Sequence, residues 1–150
     1  MARAIQLSID NVNSGRGGPF GAVIVKDGDV VAEGANEVTS TKDPTAHAEI
    51  LAIRAACAKL GAFDLHGCEI YTSCEPCPMC LGAIYWARLS RVYFANAAAD
   101  SSSIGFDDSL IYREIPLPLA QRAIPMIQMM REQALAAFQA WQEKPNKIVY

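Results

Sequence analysis

The chain has 150 residues, 51% of them hydrophobic, and a formal net charge of -3 at pH 7. This length and apolar content suit one globular domain with its own core. The acidic balance and dispersed Lys and Arg residues offer no basic surface to a polyanion, and no apolar run approaches the roughly 20 residues of a membrane helix. We therefore expect no nucleic-acid partner and no membrane association.

The first third of the chain predicts a helix followed by two strands. Apolar residues at helical spacing indicate a helix over residues 2–13, and the glycine-rich stretch 14–19 ends it. Two runs rich in β-branched residues, 20–25 and 30–35, flank an Asp-Gly dipeptide. That dipeptide is a strong turn signal, so the two runs predict a β-hairpin.

The middle of the chain alternates between helix and strand. A polar loop at 36–44 precedes an Ala, Leu and Ile pattern that predicts a helix over 45–60. A strand at 69–73, a helix at 77–87 and a strand at 91–95 follow. Alternation of this kind is typical of crossover units, so we expect an α/β fold with a partly parallel sheet.

The C-terminal third has weaker patterns. Helices are predicted over 107–113 and 132–143, and the run 124–130 fits neither a helix nor a strand clearly. No repeat or low-complexity linker interrupts the chain. We therefore predict a single domain over residues 1–150.

The stretch SCEPCPMC contains two overlapping C-x-x-C spacings, Cys74 to Cys77 and Cys77 to Cys80. Such a spacing serves redox couples and zinc sites alike. Residues three apart share one face of a helix, so Cys77 and Cys80, at the start of the predicted 77–87 helix, can direct two sulfurs to one ion. Cys74 ends a strand outside that turn, and we interpret it as a wall residue beside the site.

A second cluster, T-A-H-A-E, opens the predicted 45–60 helix. His47 can add a nitrogen to the sulfurs of Cys77 and Cys80, and three such ligands with a fourth position left for water form the catalytic zinc pattern. Glu49 is then a proton carrier and not a ligand. H-x-E followed by P-C-x-x-C is the established signature of zinc deaminases. A redox couple of Cys74 and Cys77 would leave His47 and Glu49 unexplained.

Further segments carry a closer resemblance: GGPFGAVIV, TAHAEILAIRAAC, YTSCEPCPMCLGAIYWAR, GFDDSLIY, and FQAW with the final tyrosine. With them the chain resembles the bacterial guanine deaminases of the cytidine deaminase superfamily over residues 17–150. The resemblance implies a three-layer α/β/α fold with a mixed central sheet and one Zn²⁺ per chain. It also implies hydrolysis of a purine substrate, guanine, to xanthine and ammonia.

The same resemblance implies the other site residues. Asn36 would hydrogen-bond the purine, Phe20 would stack on it, and Asp108 would assist proton transfer or departure of the amine. Trp86 and Tyr150 would complete the pocket. From the residues alone, Phe20 and Trp86 are equally well explained by packing, and Asp108 by the start of a helix.

The quaternary arrangement and the compartment are also expectations. Guanine deaminases of this type exchange C-terminal segments within a dimer, which implies a homodimer with residues from about 131 to 150 swapped. Five cysteines, an odd number, and the lack of a charged and then apolar leader favour a reducing cytoplasm.

Two alternative functions stay open at this point. One is deamination of a different amine, such as guanosine, cytosine, an aminotriazine or a tRNA adenosine. The other is a zinc-stabilised binding module without turnover, although Glu49 argues against it because a structural zinc site needs no proton carrier.

Overall fold

The computed structural model describes residues 1–149, so the predicted role of Tyr150 lies outside the described residues. Within that range seven helices and four strands follow one another. Their order is α1 (Ala2–Ser14), β1 (Gly21–Lys26), β2 (Asp29–Ala35), α2 (Val38–Thr41), α3 (Ala48–Leu60), β3 (Cys68–Cys74), α4 (Pro78–Trp86), β4 (Arg91–Asn96), α5 (Ala98–Ser103), α6 (Ser109–Glu114) and α7 (Arg131–Glu143). A 3-10 turn at Leu119–Gln121 lies between the last two helices.

The sheet has the strand order β2-β1-β3-β4. Strand β1 is antiparallel to both β2 and β3, whereas β3 and β4 are parallel. Parallel neighbours need a crossover connection, and α4 supplies it. The predicted mixed sheet is therefore confirmed.

The predicted hairpin is also confirmed. Lys26 pairs with Asp29, and the two residues between them, Asp27 and Gly28, have φ angles of 52° and 88°. Two successive positive φ angles are the geometry of a type I′ turn, whose twist matches that of the flanking strands. The geometry of the turn therefore explains why an Asp-Gly dipeptide occupies it.

Two glycines let helices approach opposite faces of the sheet. A Cβ on Gly21 would overlap the carbonyl oxygen of Ala4 in α1, and one on Gly34 would overlap that of Ala48 in α3. Gly34 pairs with Ala22, the residue after Gly21, and successive strand residues face opposite sides. Helices α1 and α3 therefore cover the two faces, which gives the expected three-layer fold.

The main core lies between the sheet and helices α3 and α4. It is built from small and branched residues that are essentially inaccessible, including Ala22, Ile24, Ala52, Leu65 and Ile70. At about 25 cal/mol per Å² of apolar surface removed from water, such burial is the main stabilising term of the fold.

The structure corrects the predicted start of the second long helix. The pattern suggested residue 45, but α3 begins at Ala48. The Asp43 carboxylate accepts hydrogen bonds from the backbone N–H and the hydroxyl of Thr45, at 2.8 and 2.7 Å. This side-chain turn holds the chain out of the helix, so His47 precedes the first helical residue.

Three other differences concern short or weak elements. The predicted loop 36–44 contains α2, and α5 follows β4 although its Ala-Asp-Ser-Ser sequence has low helix propensity. Carboxylates hold the start of α5: Asp100 accepts from the N–H of Ala97, and Glu75 from that of Ala98. The helix predicted over 107–113 begins only at Ser109.

The chain divides into two compact units, Met1–Asp108 and Ser109–Tyr150. The first contains the sheet and every buried side chain among the described residues. The second contains α6 and α7, and its run 124–130 has no regular secondary structure. The single domain expected from the sequence stays a prediction. No helix in the described part of the chain has the length and apolar character of a membrane span.

Candidate metal centre and cleft

Two helix N-termini bring the predicted metal ligands together. His47 is the N-cap residue of α3 and Cys77 that of α4, both with extended backbone and neither with a side-chain capping hydrogen bond. Pro78 occupies the first position of α4, where its missing N–H is harmless and its fixed φ favours the helix. Cys80 follows one turn later and is completely buried. The three side chains therefore project from two adjacent helix starts.

The distances among these side chains fit a tetrahedral zinc ion. The Nδ1 atom of His47 lies 3.6 Å from Sγ of Cys77 and 3.5 Å from Sγ of Cys80. Bonds of about 2.3 Å to sulfur and 2.0 Å to nitrogen at a tetrahedral angle separate the two ligand atoms by about 3.5 Å. All three ligand atoms lie within 4.8 Å of one another. The set offers three protein ligands, which leaves one coordination position open.

The electrostatics of the thiols also fit a cation. A hydrogen bond from Cys80 lowers the pKa of the Cys77 thiol to about 4, and the same shared proton raises the pKa of Cys80. The hydrogen bond between Cys77 and His47 raises the pKa of the imidazole. The three groups therefore share protons that a divalent cation would displace, as is usual for thiolate and imidazole ligands.

Cys74 is outside this cluster. Its thiol is buried and donates a weak hydrogen bond to the carbonyl oxygen of Ala97, at 3.7 Å. Burial raises the pKa of this thiol, so it keeps its proton. These observations agree with the interpretation of Cys74 as a wall residue at the end of β3.

Glu49 lies in the first turn of α3, two residues after His47, and only 8% of its surface is exposed. Burial raises the pKa of its carboxyl group above the ordinary value. A buried carboxyl group beside the metal cluster is suited to take and return a proton, as a general acid and base must. Among the described residues, the group that could hold a metal ion consists of His47, Cys77 and Cys80, so Glu49 is not placed as a fourth ligand.

The metal cluster opens onto a cleft of about 580 Å³ in the first unit. This volume is ordinary for a small-molecule site. The lining includes residues from the glycine-rich loop, the end of β2, helix α2, the two helix starts and the segment 101–108. The lining residues are Gly15, Gly17, Gly18, Phe20, Asn36, Val38, Thr39, His47, Glu49, Cys74, Glu75, Cys77, Ser101, Gly105, Phe106, Asp107 and Asp108.

Three predicted substrate residues lie in this lining. The Oδ1 atom of Asn36 accepts hydrogen bonds from the backbone N–H groups of Gly18 and Val38, at 3.2 and 3.3 Å, so its Nδ2 is the atom left to donate. Phe20 exposes part of its ring to the same cleft. Burial raises the pKa of the Asp108 carboxyl above its ordinary value.

The two remaining predicted pocket residues are Trp86 and Tyr150. Trp86, the last residue of α4, is 70% exposed and does not line it. Tyr150 lies outside the described residues. Both assignments stay predictions.

Two lining residues were not anticipated from the sequence. Phe106 packs edge-on against Phe20, with ring centroids 4.9 Å apart, and extends the aromatic surface that Phe20 presents to the cleft. Glu75 faces the cleft and accepts the N–H of Ala98 at the start of α5, at 3.0 Å. Phe106 precedes the two aspartates in GFDD, and Glu75 lies between two cysteines of SCEPC, so proximity to predicted site residues was the available signal.

Residues 1–96 match the sequence profile of the cytidine and deoxycytidylate deaminase zinc-binding region. The guanine deaminase of Bacillus subtilis (strain 168) is 56% identical over 150 residues, which are 100% of this chain and 96% of that protein. The X-ray structure of Bacillus subtilis guanine deaminase has a TM-score of 0.96 to this chain, covering 99% of it and 95% of the solved chain.

Two more distant relatives differ from each other in substrate. A structure of guanine deaminase from Nitrosomonas europaea is 32% identical with a TM-score of 0.69, and it covers 92% of this chain and 80% of its own. The tRNA-specific adenosine deaminase of Aquifex aeolicus (strain VF5) is 48% identical over 77 residues, which are 51% of each chain. The sequence alignment with this tRNA enzyme thus covers about half of the chain, whereas the alignment with the Bacillus subtilis guanine deaminase covers all of it.

Proposed function

Because the chain belongs to the cytidine and deoxycytidylate deaminase family, we propose that it hydrolyses guanine to xanthine and ammonia with the help of one zinc ion. The observation that carries the reaction class is the buried Glu49 near the cluster of His47, Cys77 and Cys80, in the lining of a cleft that also includes Phe20 and Phe106. The choice of guanine follows from the full-length relative, which is a guanine deaminase.

His47, Cys77 and Cys80 would hold the zinc ion. When bound, zinc supplies Lewis-acid activation of a water molecule, which lowers the pKa of that water to about 7 and makes it a nucleophile at neutral pH. The two helix starts contribute as well, since their positive ends favour the thiolate forms of cysteines placed there.

Glu49 carries the protons of the reaction. It accepts a proton from the water molecule that attacks the ring carbon bearing the amine, and it gives that proton to the adjacent ring nitrogen. Glu49 then passes the proton of the added hydroxyl group to the amine, so that the ring carbonyl forms as the carbon–nitrogen bond breaks and ammonia leaves. The raised pKa of the buried Glu49 carboxyl suits this exchange, because a group that is both acid and base works best near the ambient pH.

The other lining residues hold the purine. Phe20 and Phe106 offer an aromatic wall, against which a flat base can stack. The Nδ2 group of Asn36 donates to an acceptor atom of the base, because backbone N–H groups occupy its oxygen. Asp108, which also lines the cleft, assists proton transfer or departure of the amine.

The charges of the cleft favour a small base over a tRNA. The described lining residues include four carboxylates, of Glu49, Glu75, Asp107 and Asp108, and no Lys or Arg. Binding of a nucleic acid depends on cationic side chains that neutralise phosphates. A cleft with this lining would repel a phosphate backbone and accept a neutral purine.

We also propose a homodimer that exchanges C-terminal segments, with Trp86 and Tyr150 completing the pockets. The support is the exposure of large apolar side chains in the second unit, among them Ile127, Phe138 and Trp141. A cytoplasmic location is proposed on the five free cysteines, since a reducing compartment keeps such thiols from pairing.

The decisive experiment incubates the zinc-loaded protein with guanine, guanosine, cytosine, an aminotriazine and a tRNA carrying the target adenosine, and measures ammonia. We expect guanine to give the highest kcat/KM. A preference for another amine would show that guanine is not the main substrate, while the proposed mechanism would stand. Zinc binding with no ammonia from any amine would support a zinc-stabilised binding module.

A further inference from the structure

We propose that Asn11, on α1 outside the cleft, is a positioning residue that holds Asn36 and Phe20 in place for the purine. The inference rests on the proposed function, because it assumes that Asn36 and Phe20 contact the base. Asn11 does not line the cleft, so it acts through them.

Asn11 is 99% buried, with 1% of its surface exposed, and it uses its amide as a double donor. Its Nδ2 group donates to the carbonyl oxygen of Gly18 and to that of Asn36, both at 2.8 Å. Its Oδ1 atom has no hydrogen-bond partner among the described residues. The two donated bonds therefore define the orientation, since a flipped amide would place its oxygen against two carbonyl oxygens.

These two bonds close a ring around the residues that face the purine. The N–H of Phe20 donates to the carbonyl oxygen of Gly18 at 2.8 Å, and the N–H of Asn36 donates to that of Phe20 at 3.0 Å. The N–H of Gly18 donates in turn to Oδ1 of Asn36. Asn11 thus bridges the two carbonyls, of Gly18 and Asn36, that lie on either side of Phe20 in this ring.

Gly17 allows the ring to close. A Cβ at Gly17 would overlap the carbonyl oxygen of Asn36 and lie 3.0 Å from Nδ2 of Asn11. The glycine-rich loop therefore passes directly over the bond between Asn11 and Asn36. A larger residue at position 17 would displace the same carbonyl that Asn11 holds.

Loss of the Asn11 donors should affect binding more than chemistry. Without them the carbonyl oxygen of Asn36 would lose the hydrogen bond from Asn11, and that of Gly18 would keep only the N–H of Phe20. The backbone that carries the Asn36 and Phe20 side chains would then be held less firmly in its place at the cleft. The ligands of the metal and Glu49 lie on α3 and α4 and make no hydrogen bond with Asn11 among the described residues. KM for guanine should therefore rise while kcat and zinc content change little.

A double-mutant cycle tests this. Asn11→Leu keeps the side-chain size and removes both donors, and we expect it to raise KM for guanine about 5-fold to 50-fold. In the Asn36→Ala background the same substitution should raise KM by less than about twofold, because the residue through which Asn11 acts is gone. Asn13→Leu, at an exposed asparagine of the same helix, is the matched control and should leave KM unchanged.

The outcomes separate the two proposals. If Asn36→Ala leaves KM unchanged, the proposed contact of Asn36 with the purine is wrong. If Asn36→Ala raises KM but Asn11→Leu does not, or if the two effects simply multiply, the positioning role is wrong and the proposed function stands. Should Asn11→Leu fail to fold, Gly17→Ala takes its place in the same cycle, with the same expected dependence on Asn36.

Discussion

The two compact units of the chain use their apolar residues in opposite ways. In Met1–Asp108, side chains such as Ile24, Leu65 and Ile70 are fully buried between the sheet and its helices. In the second unit, no residue from 109 to 149 is buried, and Phe138 is 69% exposed. The first unit therefore contains the buried core and all the described residues that line the cleft.

The second unit exposes many of its large apolar side chains. Ile124, Ile127 and Met129 each expose more than three quarters of their surface in one run. Contiguous apolar exposure of this kind usually marks an interaction site, and exchange of an identical element is a common route to a symmetric dimer. The two units thus differ in how they use apolar residues, and the following substitutions test whether they also divide the chemistry and the proposed assembly between them.

The largest expected effect is on the metal. Cys80→Ala should remove the zinc and lower guanine turnover by more than the roughly 10,000-fold upper range of acid–base catalysis, since water activation is lost with the ion. Cys74→Ala is the matched control and should keep its zinc. Elemental analysis of both purified variants checks this, and loss of zinc from Cys74→Ala alone would mean that the other C-x-x-C pair binds the metal.

Glu49→Gln should have the next largest effect. The amide keeps the shape but cannot accept a proton, so kcat should fall about 100-fold to 10,000-fold with unchanged zinc content. Glu69→Gln, at a carboxylate beside Tyr71 on β3, is the control and should be nearly neutral. Near-normal turnover of Glu49→Gln would assign the proton transfers to another group.

Deletion of residues 146–150 tests whether the second unit contributes to the cleft at all. If Tyr150 stacks on the purine, kcat/KM for guanine should fall about 10-fold to 100-fold, the usual range for loss of an aromatic base contact. Zinc content and the unfolding temperature should stay as in the full chain. Unchanged kinetics would confine the second unit to assembly or to no role in the site.

Mixing experiments sharpen that result. A truncated chain has an intact Glu49 but no Tyr150, and a Glu49→Gln chain has the reverse. In a mixed dimer with exchanged tails, one site combines the intact Glu49 with the partner's tail, so activity should reappear on co-refolding. If the tails are not exchanged, the mixture stays as inactive as its parts.

The smallest effect concerns the surface of the first unit. The guanidinium of Arg3 on α1 bonds the Glu33 carboxylate of β2 at 2.6 Å and lowers its pKa below the ordinary 4.5. A lowered pKa in the folded state gives stability that is present above pH 4.5 and lost as the pH falls through the lowered value. Glu33→Gln should therefore reduce the unfolding temperature by about 1–3 °C at pH 7, since exposed pairs contribute little.

Thermal unfolding of the Glu33→Gln variant at several pH values provides the check. The difference from the parent chain should shrink steadily below pH 4.5 and disappear in acid. A difference that grows in acid would contradict the sign of this linkage.

The metal ligands and the proton carrier could be predicted because their spacing is local. The pairing of Cys77 with Cys80 depends only on helical periodicity. His47 and Glu49 are separated by a single residue, Ala48, so no tertiary information is needed to bring them together. The hairpin was predictable for the same reason, since Asp27 and Gly28 form the turn by themselves. Local sequence rules therefore predict most of the site residues, but they say little about the order of the strands in the sheet.

The remaining features depend on contacts between distant segments. Helix α5 starts where Glu75, from the end of β3, accepts the N–H of Ala98, and no local pattern signals this. Phe106 reaches Phe20 across more than half of the first unit's sequence. Asn11 reads as an ordinary helix residue until its amide is seen to bond Asn36, 25 residues away. Such roles follow from packing and not from spacing.

The helix starts that hold the ligands also explain why this fold should depend on its ion. His47 and Cys77 occupy positions where Ser, Thr or Asp would normally stabilise a helix by about 1 kcal/mol each through a bond to a free N–H. The ion-free chain therefore gives up stability at two places next to its core. Zinc binding would restore it by mass action, so chelation should lower the unfolding temperature as well as stop turnover. A His47→Asp variant should have the opposite properties. Its ion-free chain should be more stable than the parent chain without zinc, but it should have no deaminase activity.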